Sequence, residues 1–195
     1  MIHKLSKVEL ANVLTHAPGA IFGLVGLMYF ESQQTHWSVL VFSLSFIGLF
    51  TASSIYHYKE EPEAKRKWRI VDHIGIYFLI AGTYTPFILT YLPTSKGFLI
   101  LQVLWGCVLA GSILKIFFTG RFNVLSTIIY LLMGWMAVFA IKDFIAHIPM
   151  DILLLIGLGG ICYTLGTIFY LWKIKCDFLG HFPIVKTLIC RKVSS

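Results

Sequence analysis

Six long apolar runs separated by short polar stretches set the pattern of this chain. They are Leu10–Phe30, Trp37–Tyr58, Ile70–Leu92, Gly97–Leu114, Phe122–Ile141 and Ile152–Trp172. Each is close to the roughly 20 residues that an α-helix needs to cross a bilayer core about 30 Å thick. A closed barrel would instead need strands of about ten residues with alternating polarity, and no segment alternates. The pattern predicts an all-α fold: an integral membrane helical bundle with six transmembrane helices.

Composition agrees. Hydrophobic residues make up 57% and charged residues only 13% of the 195 residues, with a mean hydropathy of +0.80. A water-facing globule carries about 25% charged residues, so this chain lacks the polar surface to cover one. The formal charge of +7 raises the question of nucleic acid, but the cations are not gathered into one binding patch. They fall in alternate loops. Lys4 and Lys7 precede the first run; Lys59, Lys65, Arg66, Lys67 and Arg69 follow the second; Lys115 and Arg121 follow the fourth. Lys173, Lys175, Lys186, Arg191 and Lys192 follow the sixth, and only Lys96 and Lys142 lie on the opposite side. The positive-inside rule assigns the basic side to the cytoplasm. The expected placement is a multi-pass protein of the cell membrane with both termini cytoplasmic, surrounded by membrane lipids and binding no nucleic acid.

The first residues show no small-residue cleavage site after a short apolar core, so no removable signal peptide is expected. Pro18 and Pro86 interrupt helical runs and free backbone groups that neighbours have to satisfy. Gly19-Ala-Ile-Phe-Gly23 is a small-xxx-small pattern that allows close helix approach. Contact within the bundle is the first expectation from it, and a homo-oligomer the second. Cys107, Cys162, Cys176 and Cys190 have neither CxxC spacing nor the spacing of a disulfide framework. Beyond Trp172 the longest uncharged run is 178–185, broken by Pro183, which is too short for a seventh crossing.

Topology brings separated polar residues to one depth. Glu9, Asn12 and His16 are spaced by three and four and share a face at the cytoplasmic end of the first helix. Ser53 and His57 lie one turn apart at the cytoplasmic end of the second. Asp72 and His73 open the third. His36 and His147 fall in the opposite loops and read as solvated. Each residue has an ordinary structural role open to it: a first-turn acid for Glu9 and Asp72, a bond back to its own helix for Ser53, and an interfacial or interhelical imidazole for the histidines. Ionisable groups at membrane depth are costly and usually carry function, so their convergence is what matters. Such a set suits a metal site, with imidazole ligands and a carboxylate that orients a ligand or activates water. It also suits a proton or ion relay. A Ser-His-Asp nucleophile arrangement lacks any evident oxyanion hole.

These residues also carry a resemblance. Glu9-x2-Asn12-x3-His16, Ser53-x3-His57 and Asp72-His73 occur in order. The third is followed by Gly75-Ile-Tyr77-Phe-Leu-Ile-Ala-Gly82-Thr-Tyr84-Thr-Pro86-Phe87, and further on by Lys115-Ile-Phe-Phe and Met133-Gly-Trp135. Together they resemble the hemolysin III family, the bacterial branch of the progestin and adiponectin-receptor membrane proteins. The likeness covers about residues 5–173; residues 1–173 are taken as a hemolysin III-like transmembrane bundle, with 174–195 a basic cytoplasmic tail that departs from the family. The resemblance implies a seven-helix bundle with an intramembrane zinc near the inner face. His57 would be one metal ligand, Ser53 and Asp72 would be the catalytic neighbours, and Glu9, Asn12, His16 and His73 a supporting polar cluster. The activity implied is zinc-dependent hydrolysis of a lipid amide in the membrane. The alternative attached to the family name is a cytolytic, pore-forming or membrane-perturbing protein without catalysis.

One departure bears on the metal. The family's two further zinc histidines come from an H-x3-H motif on the seventh helix. Here the residue four after His181 is Val185. The expectation is therefore an incomplete zinc site in a chain altered after Trp172, as by a frameshift.

Overall fold

A computed structural model describes residues 5–32, 37–118 and 120–179, with side chains described for all of these except 30–32 and 173–179. Every regular element among the described residues is helical. The order is α1 (Lys7–Ser32), α2 (Trp37–Tyr58), α3 (Pro62–Tyr91), α4 (Ser95–Phe118), α5 (Asn123–Gly134), a 3₁₀ turn (Met136–Ala140), α6 (Ile141–His147) and α7 (Met150–Leu179). Six stretches are long and apolar enough to span a membrane, the fifth formed jointly by α5, the 3₁₀ turn and α6. The all-α, six-span expectation therefore holds.

Local sequence explains where the spans begin. Ser6 caps α1: its hydroxyl accepts from the Glu9 N–H at 3.2 Å, and its carbonyl accepts from Leu10. Ser6 and Glu9 have capping-box spacing, but the Glu9 carboxylate turns away from the cap to other partners, described below. The third span differs from expectation. The charged stretch 62–69 was expected to be loop, yet α3 starts at Pro62. Glu61 caps it by accepting from the Ala64 N–H at 3.2 Å, and proline is well suited to the first helical position. Glu, Ala, Lys and Arg are also good helix formers. Two turns of polar helix thus precede the apolar part of α3.

The fifth span is not one continuous helix. It breaks at Gly134-Trp135 with no proline present. The Tyr84 hydroxyl fills the break from α3, donating to the Gly134 carbonyl at 2.6 Å and accepting from the Ala137 N–H at 3.0 Å. Backbone groups freed at membrane depth need such internal partners.

Packing follows chain order, with α1 against α2, α2 against α3 and α3 against α4, while α7 lies against α5 and α6. The buried core is built around α3 and α4, with Tyr77, Ala81, Ile88, Leu104 and Val108 joined by Tyr130 and Met133 from α5. The Tyr77 ring lies where a side chain on Gly111 would be, so α3 and α4 approach closely. The α1–α2 contact uses the small-xxx-small pair. A Cβ on Gly19 would strike Phe50, and one on Gly23 would come within 2.8 Å of Ile47 and 2.9 Å of Phe46. Glu9, Asn12, His16, Gly19 and Gly23 recur at alternating spacings of three and four, the seam of a helix pair. That seam is polar at the basic end and bare glycine further in.

Candidate functional site

The seam of α1, the last turn of α2 and the second and third turns of α3 meet at the basic end of the bundle. Glu9 is the junction. Its Oε2 lies 2.6 Å from Nδ1 of His57 on α2, and its Oε1 lies 2.5 Å from Nζ of Lys65 on α3. The three side chains are largely but not wholly covered, with 26%, 18% and 28% of Glu9, His57 and Lys65 exposed. Lys65 also stands 5.3 Å from the centroid of the Tyr56 ring, within reach of a cation–π attraction.

The hydrogen bonds set the state of both imidazoles. A carboxylate only accepts, so the 2.6 Å contact puts a proton on His57 Nδ1. In the neutral ring the lone pair is then on Nε2. The Asn12 amide sits 3.3 Å from the same Nδ1, and with a proton there it presents Oδ1 rather than Nδ2 to the ring. His16 Nδ1 lies 2.6 Å from the Asn12 carbonyl, one turn back on its own helix. In its neutral form that ring, too, has its proton on Nδ1 and its lone pair on Nε2. The two rings are 5.6 Å apart, and His16 also lies against Phe50 at 5.9 Å.

Across from this group, Ser53 and Asp72 are buried, at 4% and 9% exposure. The Ser53 hydroxyl donates to the Asp72 carboxylate, which also senses His57, His16 and Arg69 electrostatically.

Of the residues singled out in the sequence, Glu9, Asn12, His16, Ser53, His57 and Asp72 come together here. His73 does not. It turns to the α4–α5 side of α3, where its carbonyl accepts from the Tyr130 hydroxyl at 2.9 Å. There its ring feels Lys115 and Arg69, and its Nδ1 is buried without a hydrogen-bond partner among the described residues. In the sequence Lys65 is one of five basic residues between the second and third spans, yet it holds Glu9. Its position seven residues before Asp72, on the same helical face, is the signal that marks it.

An unmodified carboxylate–imidazole contact is the usual support of a metal-ligating histidine, fixing its tautomer and ring direction. His57 has this support. The ligand count does not follow: a zinc site takes about three protein ligands with water, and no three His, Cys, Asp or Glu side chains among the described residues stand where they could hold one ion. The described donors therefore do not fit a complete zinc site. His181 and Val185 lie outside the described residues. Cys107 and Cys162 are free thiols, remote in sequence from the cluster.

Comparison with known proteins matches residues 5–183 to the family described as "Haemolysin-III related", ten residues beyond the stretch that the motifs covered. A "Hemolysin-3 homolog" of Bacillus subtilis (strain 168) is 38% identical over 174 residues, 86% of this chain and 82% of that protein. A "Hemolysin-3" of Bacillus cereus is 36% identical, covering 86% of this chain and 80% of its own length. No solved structure matches. With the spans, the seam and the Ser53–Asp72 and Glu9–His57 pairs in place, this chain belongs to the haemolysin-III-related family of multi-pass membrane proteins.

Proposed function

We propose that the three-helix cluster is a zinc-dependent membrane hydrolase site of the hemolysin III type, in an incomplete form. It would lie in the inner leaflet, as the loop charges assign it, and a lipid amide is the substrate class. The single observation that carries this reading is the Glu9–His57 contact at 2.6 Å, facing the buried Ser53–Asp72 pair. That contact orients one imidazole as a ligand would be oriented, and the pair supplies a carboxylate and hydroxyl that can hold a water or an amide carbonyl. His57 is the residue that would hold the ion, and zinc would polarise a carbonyl or activate water there. Ser53 and Asp72 would position a water or an amide carbonyl, and Glu9 and Lys65 would hold His57 in place. With one ligand in place of three, zinc is held weakly.

Metal analysis of the purified full chain tests this. The expected result is well under one zinc per chain, with what is bound reduced further by His57→Ala. Stoichiometric zinc that persists in His57→Ala would overturn the role given to His57. Stoichiometric zinc lost in that variant would overturn the incompleteness.

A second reading, membrane perturbation without catalysis, draws on the printed names of the two Bacillus relatives. Liposome leakage separates the two. Leakage that is indifferent to chelator and to His57→Ala favours perturbation over hydrolysis.

A further inference from the structure

Next to the Ser53–Asp72 pair along the α2–α3 contact, the two helices form a groove open to the surrounding lipid. Its walls include Leu44 and Gly48 from α2 and Val71, Ile74, Gly75 and Phe78 from α3. Gly48 makes the notch, since a Cβ there would meet nothing within 4 Å. Gly75 makes the floor, because its Cβ position abuts Leu49 at 3.0 Å. The one polar group along the wall, the Ser45 hydroxyl, is spent on the Val41 carbonyl at 2.7 Å. The groove thus offers hydrocarbon contact and no hydrogen bond.

Both walls end in a lysine. On α3, Lys67, Val71, Ile74 and Phe78 follow spacings of four, three and four, which keep one helical face. On α2, Gly48, Ala52, Ile55 and Lys59 follow the same spacings, and the Lys59 N–H to Ile55 carbonyl bond at 2.9 Å carries the register past the end of the helix. Gly75 and Leu49 touch, so they share a level. Counting from it at about 1.5 Å per residue, Lys67 lies roughly 12 Å and Lys59 roughly 15 Å toward the basic end. The half-thickness of the hydrocarbon core is about 15 Å, and Leu49 is near the middle of α2. Both ammonium groups therefore reach headgroup level directly above the groove. Neither is ion-paired among the described residues, where Lys65 and Lys96 are.

We propose that this groove holds an acyl chain of an anionic phospholipid, whose phosphate-bearing headgroup lies between Lys59 and Lys67. The inference is independent of the hydrolase reading, since none of the residues lining the groove belongs to the Glu9–His57 cluster. It commits to a lipid rather than a soluble phosphate, because the lysines alone make no enclosed anion site while groove and lysines together fit an amphiphile.

Native mass spectrometry of the detergent-purified full chain tests the proposal, with phosphatidylglycerol and phosphatidylcholine of identical acyl chains as the two probes. A basic residue at the membrane surface adds about five-fold in affinity for anionic lipid, so two give roughly 25-fold. Phosphatidylglycerol should bind more tightly by about that factor. The double variant Lys59→Gln/Lys67→Gln should remove the preference, and Lys142→Gln, at the other end of the bundle, should leave it. Gly48→Leu should weaken both lipids by filling the notch, with helicity by circular dichroism unchanged. Soluble glycerol phosphate should not compete. Equal affinity for the two lipids, a preference that survives the double lysine variant, unaltered binding in Gly48→Leu, or competition by glycerol phosphate would each overturn it.

Discussion

Lys65 of α3 is joined to Glu9 of α1, although these two helices have almost no backbone contact of their own. The pair bridges over the end of α2 and closes around His57. A covered, charge-assisted contact of this kind contributes more than an exposed ion pair, though a quarter of each side chain remains wet and the gain is screened accordingly. Lys65→Met and Glu9→Gln are each expected to lower stability by about 1–2 kcal/mol. A double-mutant cycle on thermal unfolding in detergent should return a coupling of about 1 kcal/mol, and simple additivity within about 0.3 kcal/mol would refute the link.

The Tyr84 hydroxyl serves two backbone groups at once. Tyr84→Phe keeps the ring and leaves the Gly134 carbonyl and the Ala137 N–H without their partner. The cost of two orphaned groups is about 2–4 kcal/mol. Hydrogen exchange reads the effect locally: the Ala137 amide should exchange much faster in the variant, while amides in the middle of α4 stay protected. Equal protection at Ala137 in both proteins would show that another group satisfies the break.

Gly111 and Gly106 lie on the same helix and are expected to behave differently. The Tyr77 ring fills the space beside Gly111, whereas nothing lies within 4 Å of a Cβ on Gly106. Gly111→Val should destabilise by about 1–3 kcal/mol through overpacking. Gly106→Ala should be neutral or slightly stabilising, because alanine is the better helix former by nearly 1 kcal/mol. Similar effects at both positions would contradict the α3–α4 packing described here.

The α1 seam makes a related prediction about how the candidate site is held. Gly19→Leu, placed against Phe50 nearly three turns from Glu9, should separate α1 from α2 and loosen the Glu9–His57 contact without touching either residue. Accessibility of His57 to an imidazole-reactive reagent should rise several-fold. Unchanged reactivity would mean that the polar end of the seam holds itself together.

How far the sequence leads differs by level. The number of spans and the bounds of α2 follow from hydropathy, because a run of 22 uncharged residues has one stable state in lipid. The start of α3 does not, because the charges that identify a loop by hydropathy are also good helix formers once Glu61 and Pro62 cap them. The break at Gly134-Trp135 carries no proline and depends on a tyrosine fifty residues earlier in the chain. At the candidate site, the periodicities of Glu9, Asn12, His16 and of Ser53, His57 disclose which residues share a face. They do not disclose rotation about α3, which turns Asp72 toward the cluster and its neighbour His73 toward Tyr130. Lys65 escaped for a simpler reason: a lysine among five basic residues looks like a topology signal, and only its spacing from Asp72 distinguishes it.

The break in the fifth span also determines how the outermost helix is moored. Tyr84 reaches Gly134 from one side, while on the other the Tyr163 ring stands 3.0 Å from where a Gly134 side chain would begin, and the Trp135 indole donates to Thr164 at 3.1 Å. The same two residues therefore serve as berth for α7 and as socket for α3. A side chain at Gly134 would press on the Tyr163 ring of α7, so a non-helical step anchored to the central core by Tyr84 also helps to align the periphery of the bundle.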